Sequence, residues 1–410
     1  MLRLEDYADL IQKCSACGYC QAACPVFKEE VVETLLPRAR VRLIREVFLD
    51  ETHPVTPRVK EILDLCLLCT NCTQNCSSSV PCDEVMTAAR IRHWEKESGL
   101  GGAAKKFVFK NILNQRGAAG LLTRAAHLAQ KLNLGPKDVP VMAAKPFDSM
   151  VKGTIAAIGE RRARAAYFVG CGTNYMFPDT GEAVVRALTA NGVEVVIPDG
   201  QVCCGIPALA EGDIETARES VRTNIDRLAA VQADAVVTDC TSCGMMFGLK
   251  AAKLFEADDP IQVKIAEVAG KLKEATDYLD ALGLSREPGP ISIRYTYHVP
   301  CHRGWSSTVE NAPRHLLGMI PGLEAVEMED PKACCGAAGT FYLEHKNLSE
   351  RIRSHKLEDI QSTGAEMVVT QCPVCRFYLQ ARLEGMSVVH PMALVARVLG
   401  EANAAVAAAK

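Results

Sequence analysis

Thiols dominate the reactive side chains of this sequence, since eighteen of its nineteen cysteines fall into two repeated patterns. The first pattern, C-x2-C-x2-C-x3-C, occurs twice near the N-terminus, at Cys14, Cys17, Cys20, Cys24 and at Cys66, Cys69, Cys72, Cys76. The second is a lone cysteine, an adjacent pair before glycine and a C-x-x-C, at Cys171, Cys203, Cys204, Cys240, Cys243 and at Cys301, Cys334, Cys335, Cys372, Cys375. Thiolates at such spacings are ligands for iron–sulfur clusters or zinc.

The four-thiol loops are typical of ferredoxins that carry two [4Fe–4S] cubane clusters. In that pattern three closely spaced thiols hold one cluster, and the fourth thiol of the loop ligates the other cluster. The sequence therefore predicts two exchanged ligand sets, Cys14, Cys17, Cys20, Cys76 and Cys66, Cys69, Cys72, Cys24. Pro25 follows Cys24 as that pattern expects, whereas Ser77 stands in the corresponding place after Cys76.

Two other uses of the cysteines are possible on spacing alone. A disulfide framework is disfavoured because the chain is large, the cysteine count is odd, and the N-terminus lacks the pattern of a secretion signal. Zinc is the stronger alternative, since paired C-x-x-C motifs are common in zinc sites. The four-thiol loops favour iron–sulfur clusters, and Cys82, which lies outside both patterns, is predicted to be a free buried thiol.

Composition excludes several other classes of protein. A net charge of -3 and an aromatic content of 5% give no support for a nucleic-acid-binding surface. No run of residues approaches the roughly eighteen apolar positions that cross a bilayer. We therefore expect a cytoplasmic protein that is at most peripheral on the inner face of the cytoplasmic membrane.

Residues 1–98 are predicted to form a helical ferredoxin domain. Between the two four-thiol loops, apolar residues recur at helical spacing and mark two helices, at Val41, Ile44, Phe48 and at Val59, Ile62, Leu63. Residues 99–164 differ, because they hold twelve Lys and Arg against three Asp and Glu, with a helical apolar pattern at Leu121, Ala125, Leu128, Leu132. We expect a basic helical linker there, or alternatively a docking surface for anionic lipid or an acidic partner.

An internal repeat follows, since the two five-cysteine sets lie at an offset of 130 to 132 residues. Short β-branched runs precede the cysteines and helical patterns separate the runs, which predicts two α/β modules, 165–285 with a joining helix and 286–400. Each module should have a parallel sheet with its thiols at the carboxyl ends of the strands. Gly205 and Gly336 should provide the tight loop that an adjacent cysteine pair needs. The expected fold class is α+β multidomain.

The five-cysteine modules resemble the cysteine-rich CCG domains of heterodisulfide reductase subunits, and the chain as a whole resembles the D subunit of that enzyme. It is also similar to iron–sulfur subunits of glycolate oxidase, lactate-utilisation dehydrogenases and anaerobic glycerol-3-phosphate dehydrogenase, through YHVPCHRG, ACCGAAGTF and VVTQCPVC followed by HPMALVARVL. The resemblance implies a noncubane [4Fe–4S] cluster on each five-cysteine set. The expected cofactors are therefore two cubane and two noncubane [4Fe–4S] clusters.

The sequence has no dinucleotide fingerprint, phosphate loop or nucleophile elbow, and no residue is assigned a catalytic role. The resemblance implies an electron-transfer subunit of an oxidoreductase, which accepts electrons from an FAD-containing dehydrogenase acting on lactate, glycolate or glycerol 3-phosphate. The electrons would pass to a quinone, a membrane cytochrome subunit or another carrier. The alternative is a heterodisulfide reductase-like catalytic subunit that reduces a disulfide at a noncubane cluster, and a third hypothesis is a protein whose clusters are only structural.

Three histidines lie near the second module. His298 and His302 flank Cys301, and His390 precedes Pro391. Each could donate a hydrogen bond to cluster sulfur and so change a reduction potential. We nevertheless expect each to be an ordinary core or surface histidine whose hydrogen bonds are satisfied.

Overall fold

The computed structural model describes residues 2–94, 110, 114–132, 134 and 139–399. Lys105, Lys106 and Lys137 of the basic segment lie outside these described residues. In residues 2–94 the regular structure is helical, as the sequence predicts, with helices Ala8–Gln12 (α1), Tyr19–Ala23 (α2), Pro25–Glu30 (α3), Pro37–Ile44 (α4), Pro57–Asp64 (α5), Asn71–Gln74 (α6) and Cys82–Trp94 (α7).

Proline begins three of these helices, α3, α4 and α5, where its missing N–H removes no helical hydrogen bond. Helix α4 continues into a π-helical turn at Arg45–Leu49 and packs against α7. Their buried faces meet through Val41, Ile44 and Val85, which are at most 2% exposed. The apolar residues at helical spacing thus form the core of the N-terminal unit.

Within the described part of the basic segment lies one longer helix, Arg116–Lys131 (α8). Its buried residues are Ala119 and Thr123, and the side chains of His127 and Gln130 hydrogen-bond to the backbone oxygens of Met142 and Pro140. The predicted helix is present, but its leucines point away from this contact. Leu121 and Leu128 are 71% and 57% exposed.

The first module contains a five-stranded sheet. Its strands are Gly153–Ile155 (β1), Ala163–Phe168 (β2), Val193–Ile197 (β3), Ala235–Thr238 (β4) and Leu272–Glu274 (β5), in the order β1-β3-β2-β4-β5. All neighbours pair in parallel except β1, which is antiparallel to β3. The helices of this part are Cys171–Tyr175 (α9), Pro178–Ala190 (α10), Ile206–Glu211 (α11), Ile214–Ala229 (α12), Thr241–Met245 (α13), Ile261–Lys271 (α14) and Ala275–Leu282 (α15).

Two of these strands lie where the sequence predicts none. Strand β1 comes from the basic segment, and β5 interrupts the joining stretch that was expected to be wholly helical. Each has only three residues, which is too short for an alternating pattern to emerge. Such a strand is defined by the neighbour to which it hydrogen-bonds, so local sequence does not identify it.

The second module repeats the arrangement with four parallel strands. These are Ile293–Tyr297 (β6), Leu323–Ala325 (β7), Met367–Val369 (β8) and Ser387–Val389 (β9), in the order β7-β6-β8-β9. Its helices are Ala312–Gly318 (α16), Phe341–Glu344 (α17), Lys346–Ser362 (α18), Pro373–Gln380 (α19) and Pro391–Val398 (α20). The predicted pair of α/β repeats with parallel sheets is confirmed.

Alternate residues of β2 face two different cores, because successive side chains of a strand point to opposite faces. Ala166 and Phe168 pack into a core shared with the N-terminal helices. Ala165 and Tyr167 pack into a second core, which the two modules share through residues such as Tyr297. The first sheet therefore lies between the N-terminal unit and the second module.

The lone and C-x-x-C cysteines follow the carboxyl ends of central strands, as predicted. Cys171 comes three residues after β2 and Cys240 two residues after β4, while Cys301 comes four residues after β6 and Cys372 three residues after β8. Central parallel strands end at the same edge of a sheet, where open α/β sheets bind ligands. The lone and C-x-x-C cysteines of each module are therefore positioned at this edge of its sheet.

Candidate metal centres

The two four-thiol loops line two separate small cavities. One cavity is bordered by Cys14, Cys17, Cys20 and Cys76, and the other by Cys24, Cys66, Cys69 and Cys72. The fourth thiol of each loop thus borders the cavity of the opposite loop. These are the same two groups of thiols that the ferredoxin pattern places around the clusters.

Left-handed backbone at equivalent positions makes the loops tight. The φ angles are 55° at Ala16 and 87° at Gly18 in the first loop, and 51° at Leu68 and 61° at Thr70 in the second. Non-glycine residues rarely adopt positive φ, and they do so where the surrounding structure compensates the strain. Sequence reasoning missed this feature in the second loop, because neither Leu68 nor Thr70 is a residue type that favours it.

Cys82 begins α7 and borders both cavities, so it lies between the two groups of thiols. Its side chain is buried, at 5% exposure, and it is not in a disulfide. All nineteen cysteines lie within the part of the chain that the structure describes, and none of them forms a disulfide.

In the second module the adjacent cysteine pair lies on a tight loop. Gly336, which follows the pair, has a φ of 89°, and a Cβ there would lie 2.8 Å from the backbone oxygen of Ser349. Its N–H donates to the Sγ of Cys334 at 3.4 Å, and the Sγ atoms of Cys335 and Cys375 are 3.2 Å apart. The pair therefore turns toward the C-x-x-C thiols.

The first module has the same construction, and Gly205 has a φ of 93°. The Sγ atoms of Cys203 and Cys171 are 4.0 Å apart, and Cys203, Cys204 and Cys243 are all at most 4% exposed. The glycines thus have the permissive conformation that the sequence predicts at both cysteine pairs.

Hydrogen bonds between these thiols lower the pKa of one cysteine of each adjacent pair and, together with burial, raise the pKa of Cys243 and Cys375. Hydrogen bonds from the thiols of Cys203 and Cys243 lower the pKa of Cys204 to about 6. Hydrogen bonds from Cys334 and Cys375 lower the pKa of Cys335 in the same way. The thiolate is the form that binds metal, so crowded buried thiols of this kind fit soft metal centres such as iron–sulfur clusters.

The thiol sites adjoin one another across the domain boundaries. Cys69 of the second loop and Cys334 of the second module belong to one buried cluster. Thr70 Oγ1 and Gln74 Nε2 donate to the backbone oxygen of Cys301 at 3.0 and 2.9 Å. The second loop is therefore joined directly to the second module.

The two modules meet at their C-x-x-C motifs. The N–H of Thr241 donates to the backbone oxygen of Gln371 at 3.1 Å, which joins the residues beside Cys240 and Cys372. Ser242 Oγ lies 2.9 Å from Nδ1 of His302. The second module thus contacts both the second loop and the first module beside their cysteines, and the cysteines of the first module share a core with Cys66, Cys72 and Cys76.

The three histidines have different surroundings. His302 also contacts the backbone oxygen of Leu68 through Nε2, and His390 contacts Glu274 at 3.1 Å and accepts from the N–H of Met392. Both are satisfied, as expected. The same expectation is wrong for His298, which is 1% exposed and has no hydrogen-bond partner at either ring nitrogen.

The unsatisfied ring of His298 lies beside two thiols of the second module. One of its nitrogens and the Sγ atoms of Cys335 and Cys375 all lie within 4.8 Å of one another. Burial lowers the pKa of His298 well below its usual value, and the nearby charges of Lys356 and Arg303 lower it further. Both effects favour the neutral imidazole, which has one N–H and one free nitrogen.

Comparison with known proteins matches two family models. A cysteine-rich domain matches residues 165–248 and 295–380, and a 4Fe-4S dicluster domain matches residues 10–80. The chain is 28% identical to a subunit of the fumarate reductase (CoM/CoB) of Methanothermobacter marburgensis, over 93% of this chain and 71% of that protein. It is 29% identical to the probable glycolate oxidase iron-sulfur subunit of Bacillus subtilis, over 90% of this chain and 88% of that protein.

Lactate utilization protein A of Exiguobacterium sp. is 32% identical, over 58% of this chain and 96% of that protein. Among solved structures, a hypothetical protein from Helicobacter pylori has a TM-score of 0.54 at 9% identity, over 98% of this chain and 76% of that one. That likeness concerns the fold alone. From the two domain matches and these relatives, the chain belongs to the family of iron–sulfur subunits that join a 4Fe-4S dicluster domain to two cysteine-rich domains.

Proposed function

We propose that the chain relays electrons within an oxidoreductase complex. A partner FAD-containing subunit oxidises a 2-hydroxy acid such as lactate or glycolate, or glycerol 3-phosphate, and the electrons leave toward a quinone or another carrier. The observation that carries this proposal is the adjacency of the thiol sites, since cysteines of the N-terminal unit share buried clusters with cysteines of both modules. The relatives named as subunits of glycolate oxidase and fumarate reductase support the same role.

Four clusters are proposed, two cubanes and two noncubane [4Fe–4S] clusters. The cubanes are held by the exchanged sets Cys14, Cys17, Cys20, Cys76 and Cys66, Cys69, Cys72, Cys24. The noncubane clusters are held by Cys171, Cys203, Cys204, Cys240, Cys243 and by Cys301, Cys334, Cys335, Cys372, Cys375. Clusters of this kind exchange single electrons. The protein contributes burial, which excludes water from the thiols and sets the reduction potentials.

The relay proposal predicts that the purified chain, loaded with clusters, does not turn over an organic substrate. Given a reduced viologen, it should take up electrons but should not reduce lipoamide or another dithiol-derived disulfide. Addition of the flavoprotein partner with its substrate should reduce the clusters, which can be followed by optical bleaching and EPR. Catalytic disulfide reduction by the chain alone would contradict the relay proposal.

One observation favours that second candidate function, disulfide reduction. A cleft of about 880 Å³ lies between the N-terminal unit and the second module, and Cys334 contributes to its wall. Its lining includes both signs of charge, with Lys28 and Arg303 near Asp330 and Asp359. A small substrate could therefore reach one thiol site of the second module.

We further propose that α8 attaches the chain to an anionic membrane surface. Leu121, Leu128 and Leu132 lie on one face of the helix and are 57% to 71% exposed, with Arg124 and Lys131 also exposed. Exposed leucines beside basic residues are typical of helices that lie in a lipid interface. Among the described residues, no helix combines the length and the apolar character that crossing a bilayer requires.

Replacing Leu121 and Leu128 together by serine should weaken binding to vesicles that contain anionic lipid by at least tenfold, because burying each leucine contributes about 1.5–3 kcal/mol. Vesicle sedimentation at low and high salt measures the effect, and salt should weaken wild-type binding. Val263→Ser is the matched control, since Val263 is an exposed apolar residue, 76% exposed, on α14. Equal binding by both variants would contradict attachment through α8.

A further inference from the structure

One of the positions at which the two modules differ lies just before the first cysteine of each module. The residue three places before the first module cysteine is Phe168 in the first copy and His298 in the second. Phe168 is fully buried and packs edge-to-face against Phe247, with 4.8 Å between the ring centroids. The first module therefore has an apolar side chain where the second has a polar ring.

The backbone of His298 is fixed by a hydrogen bond, because its main-chain N–H donates to the backbone oxygen of Val369 at 3.0 Å. Its ring has two polar atoms, and in the neutral form one of them is an N–H donor whichever tautomer is present. Both ring nitrogens are buried without a partner. Native proteins rarely leave such groups unsatisfied, so a buried histidine of this kind indicates an acceptor that the protein atoms alone do not complete.

Other charged groups near the ring already have partners. Lys356 donates to the backbone oxygen of Asp330 at 2.5 Å and contacts Asp359 at 3.2 Å. Arg303 contacts Glu310 at 3.7 Å. The sulfur atoms of Cys335 and Cys375 lie within 4.8 Å of one ring nitrogen and can accept a hydrogen bond, which neither of these cations can do.

We propose that His298 is a positioning residue whose ring N–H donates a hydrogen bond to thiolate sulfur of the Cys335–Cys375 pair, and that it raises the reduction potential of the cluster in the second module. This inference rests on the proposed function, because it requires an iron–sulfur cluster on these thiols. A hydrogen bond to ligand sulfur stabilises the extra negative charge of the reduced cluster, which favours uptake of an electron. Phe168 gives the first module no such donor, so the two modules hold their clusters at different potentials.

The test compares His298→Phe, which copies the first module, with His298→Gln, which keeps an N–H donor. Potentiometric titration followed by EPR on the full chain should show a redox equilibrium shifted on the order of tenfold toward the oxidised state in His298→Phe, since hydrogen bonds to charged groups are the strong ones. For one electron this is a potential lower by about 59 mV. His298→Gln should stay close to wild type, and His315→Phe, at an exposed histidine of the same module, should show no shift.

An unchanged potential in His298→Phe, with iron and sulfide contents equal to wild type, would overturn the inference while the relay proposal stands. Wild-type protein without a cluster signal from the second module would overturn both. Pulsed EPR on protein labelled with ¹⁵N-histidine gives a second readout, independent of how well His298→Phe folds. A weak nitrogen coupling that is lost in His298→Gln is expected, whereas a strong coupling from a directly bonded nitrogen, or none, would overturn the hydrogen bond.

Discussion

Replacing Cys24 with serine is expected to destroy the cluster of the opposite loop and to spare the cluster of its own loop. Cys24 borders the cavity lined by Cys66, Cys69 and Cys72, whereas its loop neighbours line the other cavity. The variant should therefore lose about four irons per chain. Iron and sulfide analysis with EPR of the reduced protein measures the loss and identifies which signal disappears.

Cys82→Ser is the matched control, because Cys82 is also buried between the two cavities but belongs to neither predicted ligand set. The Cys82→Ser variant should keep the EPR signals of both cubane clusters, and at most the shape of these signals should change. Loss of the cluster held by Cys14, Cys17 and Cys20 in the Cys24 variant would refute the exchange. Loss of a cluster in the Cys82 variant would show that the predicted ligand sets are incorrect.

The second large effect is expected at Lys250, which joins the first module to the N-terminal unit. Its Nζ lies 2.7 Å from Oδ2 of Asp83 on α7, and the two side chains are only 8% and 7% exposed. Lys250→Met leaves the carboxylate of Asp83 buried without its cation, so we expect a loss of about 3–5 kcal/mol in the free energy of unfolding or undocking. Denaturant unfolding of cluster-loaded protein under anaerobic conditions measures it.

Lys253→Met provides the comparison, because Lys253 pairs with Glu84 one residue along α7 but is 43% exposed. An exposed pair contributes less than about 1 kcal/mol, so this variant should be nearly as stable as wild type. Combining Lys250→Met with Asp83→Asn should recover much of the loss, since no unpaired charge is then buried. Equal destabilisation by Lys250→Met and Lys253→Met would contradict the importance of burial.

The same pair predicts a pH dependence. Burial raises the pKa of Asp83, but the charge of Lys250 and hydrogen bonds from Lys250 and Thr73 outweigh burial, so the pKa lies below the ordinary value of 3.8. A carboxyl whose pKa is lower in the folded state contributes stability above the unfolded pKa, and this contribution is lost as the pH falls through the folded value. The difference between wild type and Lys250→Met should therefore shrink below about pH 4.

Much of the fold and of the thiol sites can be predicted from the sequence. Metal binding requires particular spacings between cysteines, and the internal repeat places equivalent strands and cysteines at a nearly constant offset. The cysteine patterns predict the groups that line the two cavities, and the flanks of Cys240 and Cys372 predict the parallel strands β4 and β8. These signals are local, so a single sequence contains them in full. The conformations of Gly205 and Gly336 can also be predicted from local sequence, because an adjacent cysteine pair needs a conformationally permissive residue beside it.

The features that sequence reasoning missed depend on contacts between distant residues. Strand β5 is defined by its pairing with β4, and the left-handed conformation of Leu68 is maintained by the fold around the second loop. Asp83 and Lys250 are 167 positions apart, so nothing local marks them as partners. His298 is an ordinary histidine in sequence, and its lack of a partner becomes visible only when its neighbours are known.

The core shared by the two modules has a consequence for any attempt to use them separately. Tyr167 and Val237 of the first copy and Tyr297 and Val369 of the second fill one interior, and α20 at the end of the chain packs against α10. An excised half would present these side chains to water and should aggregate or pair with another half. Each repeat therefore depends on the other to cover its interior, although each has its own sheet and its own set of five cysteines.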